Sequence, residues 1–307
     1  MRFQELGIQT KRQAPSNART EGFALLVRAG YLTRENALTR FGEYTVNHLS
    51  SLQAKLGDSF FKIIGLDVIG NDSETFFPIK SGSMEVAHCP SCKYTERIEL
   101  ARFAKPVGTE SISPLPPEKV STPDCNTIEL LANFLGIPKE KTAKALMFTR
   151  LSDGKFVFVV VRGDMQLSEG KLKKIIGVVR PATAEEIAKA GAAAGYASPI
   201  GLKNAMVVAD DLIPESINLV AGANESGYHF KNINYGRDYS AEIIVDLVQA
   251  KEGDACPNCG KPLSVLTAEL LFDRNQFYFE NILLALAETY HDEKGLTLSK
   301  SASPFSV

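Results

Sequence analysis

Three short stretches of this sequence carry residue types that could form a polar binding pocket. They are Lys141-Thr142-Ala143-Lys144, Gly222-Ala223-Asn224 and the isolated His229. Their types and spacing match no catalytic triad, phosphate-binding loop or metal motif. A lysine just after a helix start, near a turn that exposes backbone N–H groups, instead predicts a pocket with one fixed cation and several neutral donors. Such a pocket suits a small substrate that is joined to a polyanion.

Other candidates for this pocket each have a plainer structural explanation. The segment Gly195–Pro199 follows a run of small residues, so its backbone N–H groups can approach a ligand carbonyl, or it can simply connect two elements. Asp210 follows the strand predicted over 205–209, a position that often faces a cleft in α/β folds but also suits a turn. Lys144 is also compatible with a solvated surface cation. His229 is also compatible with a hydrogen-bonded structural histidine.

Four of the five cysteines form two Cys-x-x-Cys pairs, Cys89/Cys92 and Cys256/Cys259. Each such turn offers two thiolates, and Zn²⁺ takes four ligands in a tetrahedron. The pairs are far apart in the sequence, which suits a structural zinc site if the intervening domain is an insertion whose ends return to one place. Four thiolates leave no open position, so we expect no catalytic zinc. The alternative is a pair of unmetallated turns inherited from a metal-binding ancestor.

The composition indicates a globular protein with neither a membrane-spanning segment nor a strongly basic surface. The chain has 307 residues, of which 44% are hydrophobic and 23% charged, and its formal net charge is -2. Any nucleic acid must therefore be held by local contacts. The sequence shows neither an apolar stretch of about 20 residues nor an apolar N-terminal leader. We therefore expect a cytoplasmic protein with no membrane partner and with reduced cysteines.

The hydrophobic pattern predicts short helices mixed with short strands, hence an α/β or α+β fold with a mixed sheet. The near-continuous apolar run 155–161 indicates a strand that is buried on both faces. Residues 105–122 are rich in proline, serine and glutamate and indicate a linker or long loop. The other predicted strands are 63–69, 205–209 and 242–245, and the predicted helices are 21–30, 42–56, 126–135, 169–176, 183–190 and 279–290.

Seven segments, read in order, resemble the editing insertion of bacterial prolyl-tRNA synthetases and its free-standing relatives. The segments are Val120-Ser121-Thr122-Pro123-Asp124, Lys141-Thr142-Ala143-Lys144, Val161-Arg162-Gly163-Asp164, Arg180-Pro181-Ala182-Thr183, Gly222-Ala223-Asn224, Tyr228-His229 and Asn234-Tyr235-Gly236-Arg237-Asp238. Residues 1–15 and 25–31 resemble the beginning of such a synthetase, and residues 282–293 and 303–305 resemble the end of its class II core. The resemblance implies a mixed-sheet aminoacyl-tRNA editing domain inserted in a truncated class II scaffold, with a zinc-ribbon-like junction.

The resemblance also assigns roles to individual residues. Lys144 corresponds to the family's essential editing lysine, and Ile128 and Leu131 correspond to positions that set the size of the side-chain pocket. The loop from Gly195 to Pro199 matches a Gly-x-x-x-Pro loop, although its interior differs from the commoner Ser-Leu-Gly. The substrate-binding residues expected on this basis are Thr122, Ile128, Leu131, Gly195, Tyr196, Ala197, Ser198, Pro199, Asp210, Gly222, Ala223, Asn224 and His229.

The class II flanks depart from the family pattern where ATP should bind. The stretch between Tyr31 and Cys89 is too short for the first two class motifs, and the sequence shows no anticodon-binding domain. Residues 276–281, Gln-Phe-Tyr-Phe-Glu-Asn, stand where a Gly-x-Gly-x-x-Arg motif is expected. Bulky side chains replace the glycines and Asn281 replaces the arginine. We therefore expect neither ATP binding nor formation of prolyl-adenylate.

The sequence thus predicts four parts: a truncated class II-like part (1–88), a zinc-ribbon-like junction (89–104 with 251–264), an editing domain (105–250) and a degenerate class II remnant (265–307). The resemblance implies trans-editing hydrolysis of a mischarged aminoacyl-tRNA, with Ala-tRNA(Pro) or another small amino acid as the first candidate. Its partner is the 3′ end of tRNA, and a synthetase partner or a homodimer is compatible with it. The alternative is a catalytically inactive paralogue that binds tRNA or a synthetase as a regulator.

Overall fold

The computed structural model describes residues 8–16, 18, 20–106 and 113–305, so the first seven residues and part of the predicted linker lie outside the described residues. The helices are α1 (Glu21–Arg28), α2 (Arg40–Leu56), α3 (Phe60–Ile64), α4 (Ile128–Leu135), α5 (Glu169–Ile176), α6 (Ala184–Lys189) and α7 (Phe279–Thr289). The strands are β1 (Ile69–Gly70), β2 (Glu74–Pro78), β3 (Met84–His88), β4 (Thr95–Arg97), β5 (Glu118–Ser121), β6 (Ala143–Arg150), β7 (Phe156–Arg162), β8 (Val179–Pro181), β9 (Ala205–Asp210), β10 (Leu219–Gly222), β11 (Tyr228–Ile233), β12 (Ile243–Val245), β13 (Ser264–Asp273), β14 (Gln276–Phe277), β15 (His291–Asp292) and β16 (Gly295–Leu296).

The chain forms two compact units, one from residues 1–97 with 261–307 and the other from Ile98–Gly260. The first unit has an antiparallel sheet in the order β1-β2-β13-β3-β4, with β14 beside β13. Its larger core contains Leu49, Phe60, Ile64 and Leu286, from α2, α3 and α7. Among the described residues, no helix is long and apolar enough to cross a membrane.

One predicted strand of the first unit is wrong. Residues 63–69 were expected to be extended, but Phe60–Ile64 is helical and only Ile69 belongs to a strand. Phe60 and Ile64 lie four residues apart on one helical face and are fully buried. Gly65 then ends the helix with φ 82. An apolar run this short does not distinguish a helix from a strand by its periodicity.

The second unit has the predicted mixed sheet. Its strand order is β12-β9-β7-β6-β8, and β9 pairs parallel with both β12 and β7, whereas β6 pairs antiparallel with β7 and β8. Val157 to Val161 of β7 are all buried, as expected for a central strand that is covered on both faces. The prediction of an α/β fold with a mixed sheet is confirmed.

A second, three-stranded antiparallel sheet of this unit has the order β10-β11-β5. Its strand β5 occupies the end of the segment 105–122, which was predicted to be a linker or loop. A parallel bridge between Thr142 and Val220 joins the start of β6 to β10. Helix α4 packs Leu131 against Val220 and Cys125. These contacts bring β6, β10, β11 and α4 to one place.

The local structure predicted around Lys144 is also wrong. Only the three-residue 3₁₀ turn Lys139–Lys141 precedes it, and Lys144 is the second residue of strand β6. The alanines, leucine and methionine of this segment favour a helix by propensity. Pairing with β7, in which Lys144 lies opposite Val161, overrides that preference.

Candidate active site

A cavity of about 290 Å³ opens in the second unit, between α4, the start of β6, the end of β10, the start of β11 and the 195–197 loop. Its volume is near the lower end of the range for small-molecule pockets. One wall is apolar, and the other carries a cation, an imidazole and backbone amides. Its lining residues are Cys125, Asn126, Thr127, Ile128, Leu131, Ala143, Lys144, Ala145, Met147, Gly195, Ala197, Gly222 and His229.

Lys144 is the lysine of this cavity. Its Nζ donates to the Met165 carbonyl oxygen at 2.8 Å and lies 3.5 Å from Gln166 Oε1. Burial lowers the pKa of Lys144; the Asp164 carboxylate opposes that shift, and Lys139 adds to it. The ammonium is therefore held by one strong and one long contact, and one of its three N–H bonds remains for a ligand.

His229 lies on β11 and is buried, with 4% of its surface exposed. Its Nδ1 is 2.7 Å from the hydroxyl of Thr122, which is fully buried and does not itself line the cavity. The ring centroid of Tyr196 is 5.3 Å from that of His229. Burial lowers the pKa of His229 to about 4, so the imidazole is neutral at neutral pH.

The 195–199 loop offers fewer free amides than its sequence suggests. The Tyr196 amide donates to Ala193 at 2.9 Å, and the Ser198 amide donates to Asn224 Oδ1 at 2.7 Å. Pro199 has no N–H group. Among the described residues, the amides of Gly195 and Ala197 have no hydrogen-bond acceptor, and both residues line the cavity. These two are the candidate donors for a ligand oxygen.

Two glycines allow the loop to approach its neighbours. Gly195 has φ 79, and a Cβ there would lie 2.8 Å from the Asn126 Cβ. A Cβ on Gly222 would overlap the Tyr196 carbonyl and the Ala197 oxygen. The loop backbone therefore rests directly on the end of β10, which is possible only without a side chain at that position.

The apolar wall contains Ile128 and Leu131, as predicted, and several residues that were missed. Ala143, Ala145 and Met147 are alternate residues of β6 and share one face of that strand. Cys125, Asn126 and Thr127 complete the lining, and the Thr127 hydroxyl caps α4. Leu146 interrupts the alternation of apolar and polar residues over 143–147, and Lys144 was expected just after a helix start, so the sequence offered no clear signal for this strand face.

Several residues that were predicted to bind substrate do not line the cavity. Ala223 and Asn224 follow the end of β10, and neither lines the cavity; the same holds for Tyr196, Ser198 and Pro199. Asn224 donates and accepts hydrogen bonds on the 195–199 loop instead of facing a ligand.

Asp210 is also absent from the cavity lining. Its carboxylate is fully buried and accepts hydrogen bonds from Lys105 Nζ at 2.7 Å, the Leu247 amide at 2.8 Å and the Leu212 amide at 3.1 Å. Burial raises the pKa of Asp210 despite the neighbouring lysine. The predicted contact with substrate does not fit this geometry, because the strand ends in a buried ion-pair network rather than at the cleft.

Each cysteine pair forms a similar turn within its own unit. The Lys93 amide donates to the Cys89 carbonyl at 2.8 Å, and the Gly260 amide donates to the Cys256 carbonyl at 2.9 Å. Lys93 and Gly260, each directly after the second cysteine, both have positive φ, 65 and 72. None of the cysteines, all of which are in the described residues, forms a disulfide. In chemical terms, two such thiol pairs provide the donor set of a structural zinc ion.

Residues 122–239 match the family described as the aminoacyl-tRNA editing domain. This stretch is an aminoacyl-tRNA editing domain. Most of the chain is similar to proline–tRNA ligases. It is 36% identical over 273 residues to the enzyme of Dehalococcoides mccartyi, covering 78% of this chain and 47% of that one. It is 33% identical over 325 residues to that of Salinispora tropica, covering 93% and 52%.

The chain spans about half the length of these curated ligases. A solved structure described as a candidate trans-editing enzyme for prolyl tRNA synthetase is 21% identical, with a TM-score of 0.37, and the match covers 44% of this chain and 87% of that one. Every residue that lines the 290 Å³ cavity lies inside the editing domain, whereas both cysteine pairs lie outside it.

Proposed function

We propose that this protein hydrolyses the ester that joins a small, wrongly attached amino acid to the 3′ end of tRNA, with Ala-tRNA(Pro) as the first candidate. One observation carries the proposal. A single cavity of the editing domain combines Lys144, neutral His229 and two unbonded amides with an apolar wall. A cation and aligned amides suit an anionic substrate with a reactive carbonyl, and the wall suits a small side chain.

The chemistry needs no protein nucleophile, because an aminoacyl ester is already activated. A water oxygen attacks the ester carbonyl carbon, the carbon–oxygen bond to the ribose breaks, and the leaving ribose oxygen takes the proton. The neighbouring ribose hydroxyl assists the proton transfer. The amides of Gly195 and Ala197 stabilise the developing oxyanion, and one such donor is worth about 3 kcal/mol of barrier.

The charged and polar side chains orient the substrate. The remaining N–H bond of the Lys144 ammonium, together with its charge, holds the terminal phosphate or ribose. His229, being neutral, places the terminal adenosine or the α-amino group by a hydrogen bond rather than by charge. Thr122 fixes the orientation of the His229 ring from behind.

Selectivity for a small residue follows from the apolar wall. Ile128 and Leu131 close one side of the cavity, and Leu131 is almost fully buried. Because buried side chains are closely packed, this side cannot move far to admit a larger substrate. We therefore expect alanine to fit and the proline ring to be excluded by overlap with this wall. A steric pocket of this kind distinguishes substrates that are larger than the one it is built for.

We propose that the chain does not activate proline. Phe277 and Phe279 of the segment in the place of the Gly-x-Gly turn stack at 5.7 Å and pack against Phe60. The Asn281 amide donates to the Leu270 carbonyl at 2.9 Å. This packing of bulky side chains, in the segment that stands in the place of the family's ATP-binding motif, supports the proposal. Proline-dependent ATP–pyrophosphate exchange by the purified chain would contradict this part of the proposal.

We further infer that the four cysteines hold structural zinc, which supplies stability and no chemistry. The matching turns and the all-thiol donor set support this. Metal analysis that finds less than one zinc per chain after purification without chelators would count against it. A cytoplasmic location and tRNA as the partner follow from the editing proposal. A synthetase partner and a homodimer are compatible with it.

A deacylation panel tests the main proposal. The purified chain is incubated with Ala-tRNA(Pro), Ser-tRNA and Pro-tRNA(Pro), and we expect release of alanine with little release of proline. Lys144→Ala should lower the rate about 100-fold, the effect of losing substrate alignment. Lys203→Ala is the matched control, since Lys203 is exposed and outside the cavity. No hydrolysis of any substrate by a folded protein would favour a tRNA-binding regulator instead.

A further inference from the structure

We propose that Asn224 is a positioning residue that holds the 195–199 loop so that the Ala197 amide points toward the reacting ester. The catalytic consequence rests on the proposed deacylase function, whereas the structural clamp does not. The sequence suggested that Asn224 binds substrate directly. Its contacts in the structure lead to a different role.

The Asn224 side chain makes its hydrogen bonds with Ser198 of the loop and with Ile200 directly after it. Oδ1 accepts from the Ser198 amide at 2.7 Å, and Nδ2 donates to Ser198 O at 3.1 Å and to Ile200 O at 2.9 Å. A carboxamide has two donor protons, and both are used here. No donor remains for a ligand, and Asn224 does not line the cavity.

The backbone of Asn224 fixes the peptide group that matters most. Its N–H donates to the Tyr196 carbonyl at 2.9 Å. In a trans peptide, the carbonyl of one residue and the N–H of the next point in opposite directions. The bond to Tyr196 O therefore turns the Ala197 N–H away from Asn224, and Ala197 lines the cavity.

Asn224 thus contacts three consecutive peptide groups of the loop. These are 196–197 through Tyr196 O, 197–198 through the Ser198 N–H and 198–199 through Ser198 O. With the three groups fixed, the loop cannot rotate its amides without breaking several partly buried hydrogen bonds. Oxyanion donors are effective because they are oriented before the reaction, so such a clamp raises the rate of the chemical step.

The conformation of Asn224 explains why asparagine is suited to the position. Its φ is 53, in the left-handed region, which asparagine and glycine adopt most readily. Alanine at position 224 would remove the side-chain hydrogen bonds and would also strain the backbone, so the two effects could not be separated. Glycine keeps the backbone conformation and removes the side-chain bonds alone, so it is the informative substitution.

The test compares Asn224→Gly with Asn204→Gly in the full chain. Asn204 also has a left-handed φ, 52, but is exposed, and its side chain makes no hydrogen bond within the described residues. We expect Asn224→Gly to lower kcat for Ala-tRNA(Pro) by about 10-fold, less than the loss of one oxyanion donor, because glycine keeps the backbone bond to Tyr196 O and removes only the side-chain bonds. KM should change less than about 3-fold, since ground-state binding does not use the clamp. Asn204→Gly should leave both constants unchanged.

Amide hydrogen exchange provides a readout that does not depend on activity. In the wild-type chain the Ser198 amide should exchange slowly and the Ala197 amide fast, and Asn224→Gly should accelerate Ser198 exchange. If the wild type hydrolyses no substrate but shows this pattern, the proposed function fails and the clamp stands. A rise in KM with unchanged kcat would make Asn224 a substrate-binding residue and overturn the inference. So would fast Ser198 exchange in the wild type, which decides the question even if the variant does not fold.

Discussion

Burial and one hydrogen bond determine the chemical state of His229. The ring is almost inaccessible, and its Nδ1 contacts only the Thr122 hydroxyl among the described residues, so no carboxylate compensates a positive charge. Its pKa is lowered from 6.5 to about 4. A histidine in this state can orient a substrate at neutral pH but cannot act as a cation for its phosphates.

This state predicts a specific pH dependence. The folded pKa lies below the unfolded one, so the unfolded chain binds the proton first and stability is lost as the pH falls from about 6.5 toward 4. Between pH 7 and pH 5 the loss from His229 is about 2 kcal/mol. An NMR titration of the imidazole, assigned with His229→Asn, should show a midpoint near 4. A midpoint at the ordinary histidine value would show that the site is open to water.

Residue type alone did not separate Lys144 from Asp210, although both were assigned to the pocket. Lys144 lies on the cavity wall, whereas Asp210 is covered by Lys105, which belongs to a segment far away in sequence. The residues near Asp210 in the sequence do not indicate that Lys105 will pair with it. A buried carboxylate is paired by whichever cation the fold brings to it, and this depends on long-range packing.

The close contact between strand β10 and the 195–199 loop gives a prediction for Gly222→Ala. The new Cβ overlaps backbone atoms of Tyr196 and Ala197, which cannot move without breaking the bonds to Asn224. We expect a loss of about 1–3 kcal/mol in stability, as for other overpacked sites, and a large loss of deacylation.

Gly154→Ala is the control for that substitution. Gly154 lies in the turn between β6 and β7, and a Cβ there would meet no atom within 4 Å. Its φ is 69, so alanine adds only the cost of a left-handed conformation, about 1 kcal/mol, and should leave deacylation unchanged. Hydrogen exchange of the β7 amides measures the free energy of opening of the second unit in both variants. Equal stability and activity of Gly222→Ala and wild type would mean that the loop is not packed on β10.

Elements with a strong local signal were predictable, and those that depend on pairing were not. The run 155–161 became the buried strand β7, and Thr183 with Glu186 forms the capping box that starts α6. Strand β5, by contrast, is polar and largely exposed, and it exists because it pairs with β11. Its register, with Val120 opposite His229, links residues more than a hundred positions apart. Local patterns do not encode such a pairing.

At the scale of the whole molecule, segments outside residues 122–239 also stabilise the second unit. Lys105 precedes the matched domain, and its ammonium lies 2.7 Å from Asp210 Oδ2 and from Asp246 Oδ1, and it also pairs with Asp211. Lys171 pairs with Asp246 at 2.8 Å. The lysine that neutralises Asp210 is thus supplied by the flank. The family match alone therefore understates what this domain needs in order to fold.

The network predicts a large effect for Lys105→Met. The side chain of Lys105 is 10% exposed and that of Asp210 is not exposed at all, so removing the cation leaves a buried carboxylate without its counter-ion. Breaking a buried pair in this way costs about 3–5 kcal/mol. Asp246 retains Lys171, so Asp210 bears most of the loss. Native-state hydrogen exchange of β7 amides reports the free energy of opening this unit separately from the first.

Arg102→Met supplies the contrast, because it removes a cation from the same network at the surface. Arg102 is 72% exposed and lies 3.8 Å from Asp246, and an exposed pair contributes at most about 1 kcal/mol. Adding Asp210→Asn to Lys105→Met should recover part of the lost stability, since the buried charge is then removed along with its partner. If Lys105→Met destabilises the unit no more than Arg102→Met does, water reaches Asp210 and the flank is not needed to neutralise it. A destabilisation by Lys105→Met that is much larger than that by Arg102→Met would instead show that the editing domain depends on residues that its own family match leaves out.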